Sequence, residues 1–550
     1  MRIALSQINV TVGDIDGNIC RILQRIKSAK NLGVQLIAFP ELAITGYPPE
    51  DLVFKSQFIQ DNLTALEAVI SESTGINVVI GYIDKDKSGI YNAAAIISNK
   101  NLIGTYRKII LPNYGVFDEQ RYFTPGTRPT VYDLSGIKTS INICEDIWSD
   151  KGPIECQQQA GAKLLVNINA SPYHRGKRQQ RELLLSQQAL KHNLTLAYVN
   201  LVGGQDELVF DGTSVLVSPD GEILARGAQF AEDNLIFDID FNEQGNYKNF
   251  EVAKFESANR GKPYVKEPMD DLQEVYTALV TGTHDYVKKS GFEKVIVALS
   301  GGIDSSLVAA LAVDALGNEN VIGLSMPSRY SSEGSITDSR LLAENLGIQL
   351  FTTSIEPVFS EYLSTLKDFF QKTEANIAEE NLQSRTRGTL VMAMSNKFGW
   401  LALTTGNKSE YATGYATLYG DMAGGFAVIK DVSKTLVYEL CNYRNTVSEV
   451  IPVEIISKPP SAELRPDQLD QDSLPAYDEL DEILKAYVEN DETYNEIISN
   501  GYNPDIVKRV MNLVDRSEHK RRQTPPGVKI TERNFGRDRR MPIVNQYKTY

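Results

Sequence analysis

From residue 294 the chain reads KVIVALSGGIDSSLVAALAV, an apolar β-branched run that meets two glycines and continues directly as a helix. A strand entering a full-length helix through so short a turn predicts a following strand parallel to the first, with the helix packed on a face of the sheet. The text beyond keeps that rhythm: strand NVIGLSM, helix GSITDSRLLAENLG, strand IQLFTTS and, later, the apolar run WLALTT. The second half is therefore expected to be a doubly wound parallel sheet with helices on both faces.

The first half has a different pattern. Up to about residue 240, short Val- and Ile-rich runs (IALSQI, LIAFPE, NVVIGYI, AAAIIS, TSINIC, LLVNIN, LAYVNL, SVLVSP) alternate with helical stretches such as NICRILQRIKSAKNLG. This predicts a second, layered α/β domain with many strands. The expected division is a first domain over 1–245, a polar connector over 246–270 and a second domain over 271–550, whose acidic helical tail ends in the basic stretch HKRRQTPPGVK.

Composition excludes some functions. A formal charge of −15 argues against a nucleic-acid partner, because phosphate backbones need a positive footprint. Cys20, Cys144, Cys156 and Cys441 form no CxxC pair, so neither a disulfide framework nor a cysteine zinc site is expected. The opening MRIALSQINVTVGD lacks the apolar core of a signal peptide and no later run reaches membrane-span length, which predicts a cytoplasmic chain with no membrane partner.

Three segments of the first half carry ionisable residues where apolar strands end: Glu41 in LIAFPELAITGY, Lys108 in YRKIILPNYGVFDE and Cys144 in INICEDIW. A thiol attacks an amide as thiolate or beside a base, and the oxyanion that forms needs a cation or backbone donors. Cysteine, glutamate and lysine together meet those needs. In the second half, Ser300, Gly301 and Gly302 follow a strand, and Ile303, Asp304, Ser305 and Ser306 open a helix. Glycines admit phosphate oxygens close to the backbone, and free amides at a helix start favour the anion. The spacing is not the GxxxxGK[ST] of a kinase-like loop.

The first three segments resemble the catalytic motifs of the nitrilase, or carbon-nitrogen hydrolase, superfamily, and the resemblance spans nearly the whole first domain. It implies an α-β-β-α sandwich, Cys144 as nucleophile, Glu41 as general base and later acid, Lys108 as stabiliser of the tetrahedral intermediate, and Glu119 as a second, orienting glutamate. The glutaminase branch of that superfamily adds Tyr114, Ser171 and Lys177 as glutamine contacts. The loop SGGIDS resembles the SGGxDS motif of enzymes that split ATP between the α and β phosphates, on an adenine-nucleotide α-hydrolase-like sheet.

A nitrilase-type domain ahead of such a loop resembles the architecture of the glutamine-dependent NAD synthetases, over essentially the full chain. That likeness implies ATP contacts at Ser300 to Ser306, Thr405, Lys434 and Ser461, and Mg2+ with the ATP, held by Asp304 and Glu410. It implies deamido-NAD contacts at Asn381, Glu410 and Lys520, no prosthetic group, a shielded path for ammonia and a homo-oligomer. Substrates would be L-glutamine, ATP and deamido-NAD. Leu418 stands where ammonia-only synthetases have a lysine, so no substrate contact is expected from its loop. The alternative is an ammonia-dependent synthetase whose cysteine domain is an amidase or nitrilase of other specificity; a binding-only sensor and a tRNA-thiolating relative are more distant rivals.

Overall fold

Alternation along Arg2–Gln7 sends Ile3 and Leu5 to one face and Ala4 to the other, and both faces are buried. In the computed structural model, which describes residues 1–252, 265–466, 468–548 and 550, the chain divides into two units, Met1–Met269 and Asp270–Tyr550. In the first unit a seven-stranded sheet runs in the order Tyr247–Val252, Asp233–Phe241, Arg2–Gln7, Leu36–Ala38, Asn77–Lys85, Ile90–Ser98, Asn101–Arg107. A six-stranded sheet follows the order Ile223–Arg226, Val215–Val217, Thr195–Asn200, Leu164–Asn169, Ile137–Ile143, Val131–Leu134.

Ile3, Leu5, Val79 and Ile96 of the first sheet share a core with Ile141, Ile143, Val166 and Val199 of the second. Outside the first sheet, Ala4, Ile37 and Val78 pack on Ile22 and Ile26 of helix Ile15–Asn31 and on Leu66 and Val69 of helix Ser56–Glu72. Outside the second, Leu165, Leu196 and Val215 pack on Leu185 and Ala189 of helix Lys177–His192. The result is the α-β-β-α sandwich. Strand Tyr247–Val252 lies in the stretch where a connector was expected, pairing antiparallel with Asp233–Phe241 at the sheet edge, where one neighbour suffices. Positions 253–264 of that stretch lie outside the described residues.

Direction matters for the site. Leu36–Ala38 and Asn77–Lys85 are parallel, and two antiparallel steps return Asn101–Arg107 to the same direction. Glu41 and Lys108, each just past a strand, therefore leave their sheet at one edge.

The second unit holds a five-stranded, wholly parallel sheet in the order Gln349–Thr352, Val321–Ser325, Val295–Ala298, Leu401–Thr404, Phe426–Ala427. Helices Asp271–Lys289, Ile303–Leu316 and Lys434–Val447 pack together over it, while Val391 of helix Ile377–Phe398 packs with Ile296, Ile322 and Ala402. Strand order reverses between Val295–Ala298 and Leu401–Thr404, the kind of switch point at which open α/β sheets bind ligands. Helices Tyr477–Leu484, Tyr494–Ser499 and Pro504–Arg516 bury Leu480, Ile497, Val510 and Met511 in a cluster that includes Ala412. Among the described residues no helix is long and apolar enough to cross a membrane.

Candidate active sites

Cys144 opens the short turn Cys144–Ile147 at the end of strand Ile137–Ile143, with φ of 43°, a left-handed conformation rare for a residue with a side chain. Lys108 Nζ donates to Glu41 Oε1 at 2.7 Å and to Glu119 Oε1 at 2.9 Å, and the Lys108 and Glu41 side chains are fully buried. Glu41 is fixed further by Asn92 Nδ2, which donates to Oε1 at 2.7 Å, and by the Ala170 N–H, which donates to Oε2 at 2.9 Å. The Tyr47 hydroxyl donates to Glu119 Oε1 at 3.1 Å. One ammonium and two carboxylates thus share a buried pocket whose hydrogen bonds are charge-assisted.

Burial opposes the Lys108 charge, but Glu119 and Glu41 more than offset it and hold the ammonium well above its ordinary range. Burial pushes the Glu119 carboxyl up to about 7 despite the pull of Lys108. For Cys144, burial and then the charge of Glu41 push the thiol well up, with Lys108 opposing. The resting sulfur is therefore a thiol, which needs a base at the moment of attack.

The residues expected to contact glutamine lie around the same turn. The exposed Tyr114 donates its hydroxyl to Glu145 Oε2 at 2.9 Å, and the Lys177 ammonium sits 3.9 Å from the centre of the Trp148 ring. Ser171 is buried, its N–H donating to Asn200 Oδ1 at 2.9 Å, directly after the Ala170 that binds Glu41. Asn92, Glu145 and Trp148 were not singled out in the sequence. The last two lie within CEDIW beside Cys144, a usable signal; Asn92 has none.

In the second unit Gly301 adopts φ of 79°, and a Cβ there would stand 2.3 Å from the Ser335 carbonyl oxygen, so only glycine fits. Ser300 Oγ accepts the Gly302 N–H at 3.2 Å, and the Ser305 and Ser306 hydroxyls donate to the Gly302 carbonyl at 3.0 and 2.9 Å. The loop is rounded against its own helix start. Thr405 follows the neighbouring strand Leu401–Thr404, on the other side of the switch point. Ser461 donates to the Gln468 carbonyl at 2.5 Å, and Glu463 of the same loop accepts the Ser335 hydroxyl at 2.7 Å, which joins this loop to the residue packed on Gly301.

Asp304 and Glu410 come together through Asn407. The Asn407 amide donates to Asp304 Oδ1 at 2.8 Å, its side-chain oxygen accepts the Glu410 N–H at 3.0 Å, and its own N–H donates to Glu410 Oε2 at 3.1 Å. Lys434 Nζ donates to Asp304 Oδ2. Burial and then the charge of Asp304 push the Glu410 carboxyl well up, Lys434 opposing, and burial likewise raises Asp470, which acts on the same group. Two crowded carboxylates with hard oxygen donors suit Mg2+, which binds through one or two carboxylates and substrate phosphates rather than a full protein cage. Among the described residues there is no cluster of three or more His, Cys, Asp or Glu side chains placed to hold a metal ion.

Asn381 and Lys520 meet the chain just beyond Glu410. The Thr417 hydroxyl donates to Asn381 Oδ1 at 2.8 Å, and Lys520 Nζ donates to the Gly414 and Ala416 carbonyls at 2.7 and 2.8 Å. Leu418, with Met392, Tyr419, Met422 and Gln523, lines a cavity of about 690 Å3, a size suited to a small-molecule ligand.

A carbon-nitrogen hydrolase family model matches residues 2–249 and an NAD synthase model matches residues 275–524. The glutamine-dependent NAD(+) synthetase of Thermotoga maritima is 48% identical over 571 aligned positions, covering 100% of this chain and 99% of that protein. That of Aquifex aeolicus is 44% identical, covering 100% of both. Among solved structures, the glutamine-dependent NAD+ synthetase of Acinetobacter baumannii in complex with ADP superimposes with a TM-score of 0.78 at 42% identity, covering 100% of this chain and 99% of that one.

Proposed function

The chain belongs to the family of glutamine-dependent NAD(+) synthetases, and from that premise we propose that Cys144 releases ammonia from glutamine while the glycine loop at Ser300 serves an ATP-driven amidation of deamido-NAD. The observation that carries the reading is the buried lysine held between two carboxylates beside a cysteine, in a chain whose other half has a glycine loop at a sheet switch point.

In the first unit, Cys144 Sγ attacks the glutamine side-chain carbonyl as Glu41 takes the thiol proton. Burial pushes the thiol up, which favours moving its proton to Glu41 as the sulfur attacks. The developing oxyanion is stabilised by the Lys108 ammonium, and the proton on Glu41 passes to the nitrogen as the C–N bond breaks. Ammonia leaves and a thioester remains. Water, deprotonated by Glu41, then releases glutamate. Glu119 keeps Lys108 oriented through the 2.9 Å bond, and Tyr114, Ser171 and Lys177 hold the substrate.

In the second unit, a carboxylate oxygen of deamido-NAD attacks the ATP α-phosphorus, pyrophosphate leaves, ammonia displaces AMP from the acyl adenylate, and NAD results. Ser300, Gly301, Gly302, Ile303, Ser305 and Ser306 cradle the phosphates, with Thr405, Lys434 and Ser461 as further ATP contacts and Asn381, Glu410 and Lys520 as dinucleotide contacts. Asp304 and Glu410 would hold Mg2+, which would supply charge neutralisation on the phosphates. Lys434, now beside Asp304, adds a second cation there.

A homo-oligomer in the cytoplasm completes the proposal. Light scattering reads the self-association directly.

The testing experiment measures NAD formed from deamido-NAD and magnesium-ATP, with glutamine and with ammonium in parallel, while assaying glutamate and AMP. Glutamate matching NAD is expected. Synthesis from ammonium alone would leave the alternative, a cysteine domain of other specificity.

A further inference from the structure

Asp146 has no part in the chemistry above, yet its side chain is fully buried and its two oxygens collect four donors. Oδ1 accepts the N–H groups of Ile109 at 3.2 Å and Ile110 at 2.8 Å; Oδ2 accepts the Tyr106 hydroxyl at 2.7 Å and the Ile143 N–H at 3.0 Å. The donors have a common address. Ile109 and Ile110 directly follow Lys108, Tyr106 lies just before it, and Ile143 directly precedes Cys144.

Lys108 leaves the seven-stranded sheet and Cys144 the six-stranded sheet, and between the sheets lies an apolar core. Apolar contact is non-directional and does not set the relative position of two strand ends to a fraction of an ångström; charge-assisted hydrogen bonds do. The bond to the Ile143 N–H also closes the turn that holds Cys144 in its left-handed conformation.

We propose that Asp146 is a positioning residue for ammonia release, fixing the Cys144 sulfur against the Lys108 ammonium by binding the backbone that flanks each. The inference rests on Cys144 being the glutamine nucleophile. Asn92 supplies the matching tie on the other side, since its side chain donates to Glu41 and its carbonyl accepts the Lys108 N–H at 2.9 Å. Base, cation and nucleophile thus form one chain of fixed distances. The groups expected to hold glutamine, Tyr114, Ser171 and Lys177, make no bond to Asp146. Loss of Asp146 therefore acts on turnover rather than on binding.

The test uses the full chain with glutamine and with ammonium as donors. Asp146→Asn puts an amide donor against N–H groups, and a misplacement of about 1 Å costs on the order of 10²-fold in rate. The expected result is a fall of that size in glutamine-driven kcat, with the glutamine KM changed by less than about threefold and the ammonium-driven rate kept. Tyr106→Phe removes one donor and leaves the carboxylate; a drop of about threefold in the same kcat at unchanged KM is expected from one lost hydrogen bond. If circular dichroism shows Asp146→Asn unfolded, Tyr106→Phe decides the matter. Wild-type kcat in the folded variants, or a KM that rises as much as kcat falls, overturns the proposal. Cys144→Ala runs alongside: glutamine-driven synthesis surviving there would defeat the nucleophile assignment itself, a distinct failure.

Discussion

Each candidate site holds a buried lysine against carboxylates, and these two lysines, Lys108 and Lys434, are placed differently. Lys108 donates to both Glu41 and Glu119; Asn92 and Ala170 donate to Glu41 as well, and Tyr47 to Glu119. Lys434 donates to Asp304, while the Glu410 carboxylate accepts the Asn407 N–H. In the first pocket the one lysine bonds both carboxylates before any substrate arrives. In the second the lysine bonds Asp304, and burial and the charge of Asp304 push the Glu410 carboxyl up, which suits a ligand that brings its own cation. Chemistry done by side chains alone favours the first arrangement, and chemistry on a metal-bound polyphosphate favours the second.

The sharpest break of this comparison is Cys144→Ala. Removing a nucleophile costs several powers of ten, so glutamine-driven NAD formation is expected to fall at least ~10³-fold. The ammonium-driven rate should stay within about twofold. Equal losses with both donors would mean that the two pockets are not separate.

Asp304→Asn comes next. Both donors should lose about 10²-fold, the scale of one electrostatic contact to the reacting phosphate, with a higher Mg2+ concentration needed for half-maximal rate. A loss confined to glutamine would place Asp304 outside the shared chemistry.

Gly301→Ala sharpens the comparison on the side of fold. A side chain at φ of 79° beside the Ser335 carbonyl is expected to destabilise the second unit by about 1–3 kcal/mol in denaturant unfolding. Glutamine hydrolysis assayed without ATP should be untouched.

Trp148→Ala is the mildest. It removes the ring under the Lys177 ammonium, an interaction of about 0.5–2 kcal/mol, so glutamine KM should rise about threefold to tenfold with ammonium-driven synthesis unchanged.

The sequence announced those elements whose signal is local. Val- and Ile-rich runs became the strands, and the glycine loop lies between Val295–Ala298 and Ile303–Leu316 as its own text implies. Glu41, Lys108 and Cys144 were legible because each breaks an apolar strand end. Asn92 was not, because an asparagine inside IYNAAAIIS acquires meaning only when another strand brings Glu41 against it. Asn407 looks like an ordinary helix cap, and it is one, but the same side chain also reaches Asp304 across 103 positions of sequence. Tyr247–Val252 was hidden for another reason: YKNFEV is polar enough to read as surface chain, and an edge strand needs little more.

The left-handed turn at Cys144 has a consequence for the durability of the fold. A side chain held at φ of 43° costs on the order of 1–3 kcal/mol that a glycine would not. The Cys144 thiol therefore sits where stability alone would select against it, so substitution by glycine is expected to make the first unit sturdier, a gain that only a demand on the thiol itself would oppose.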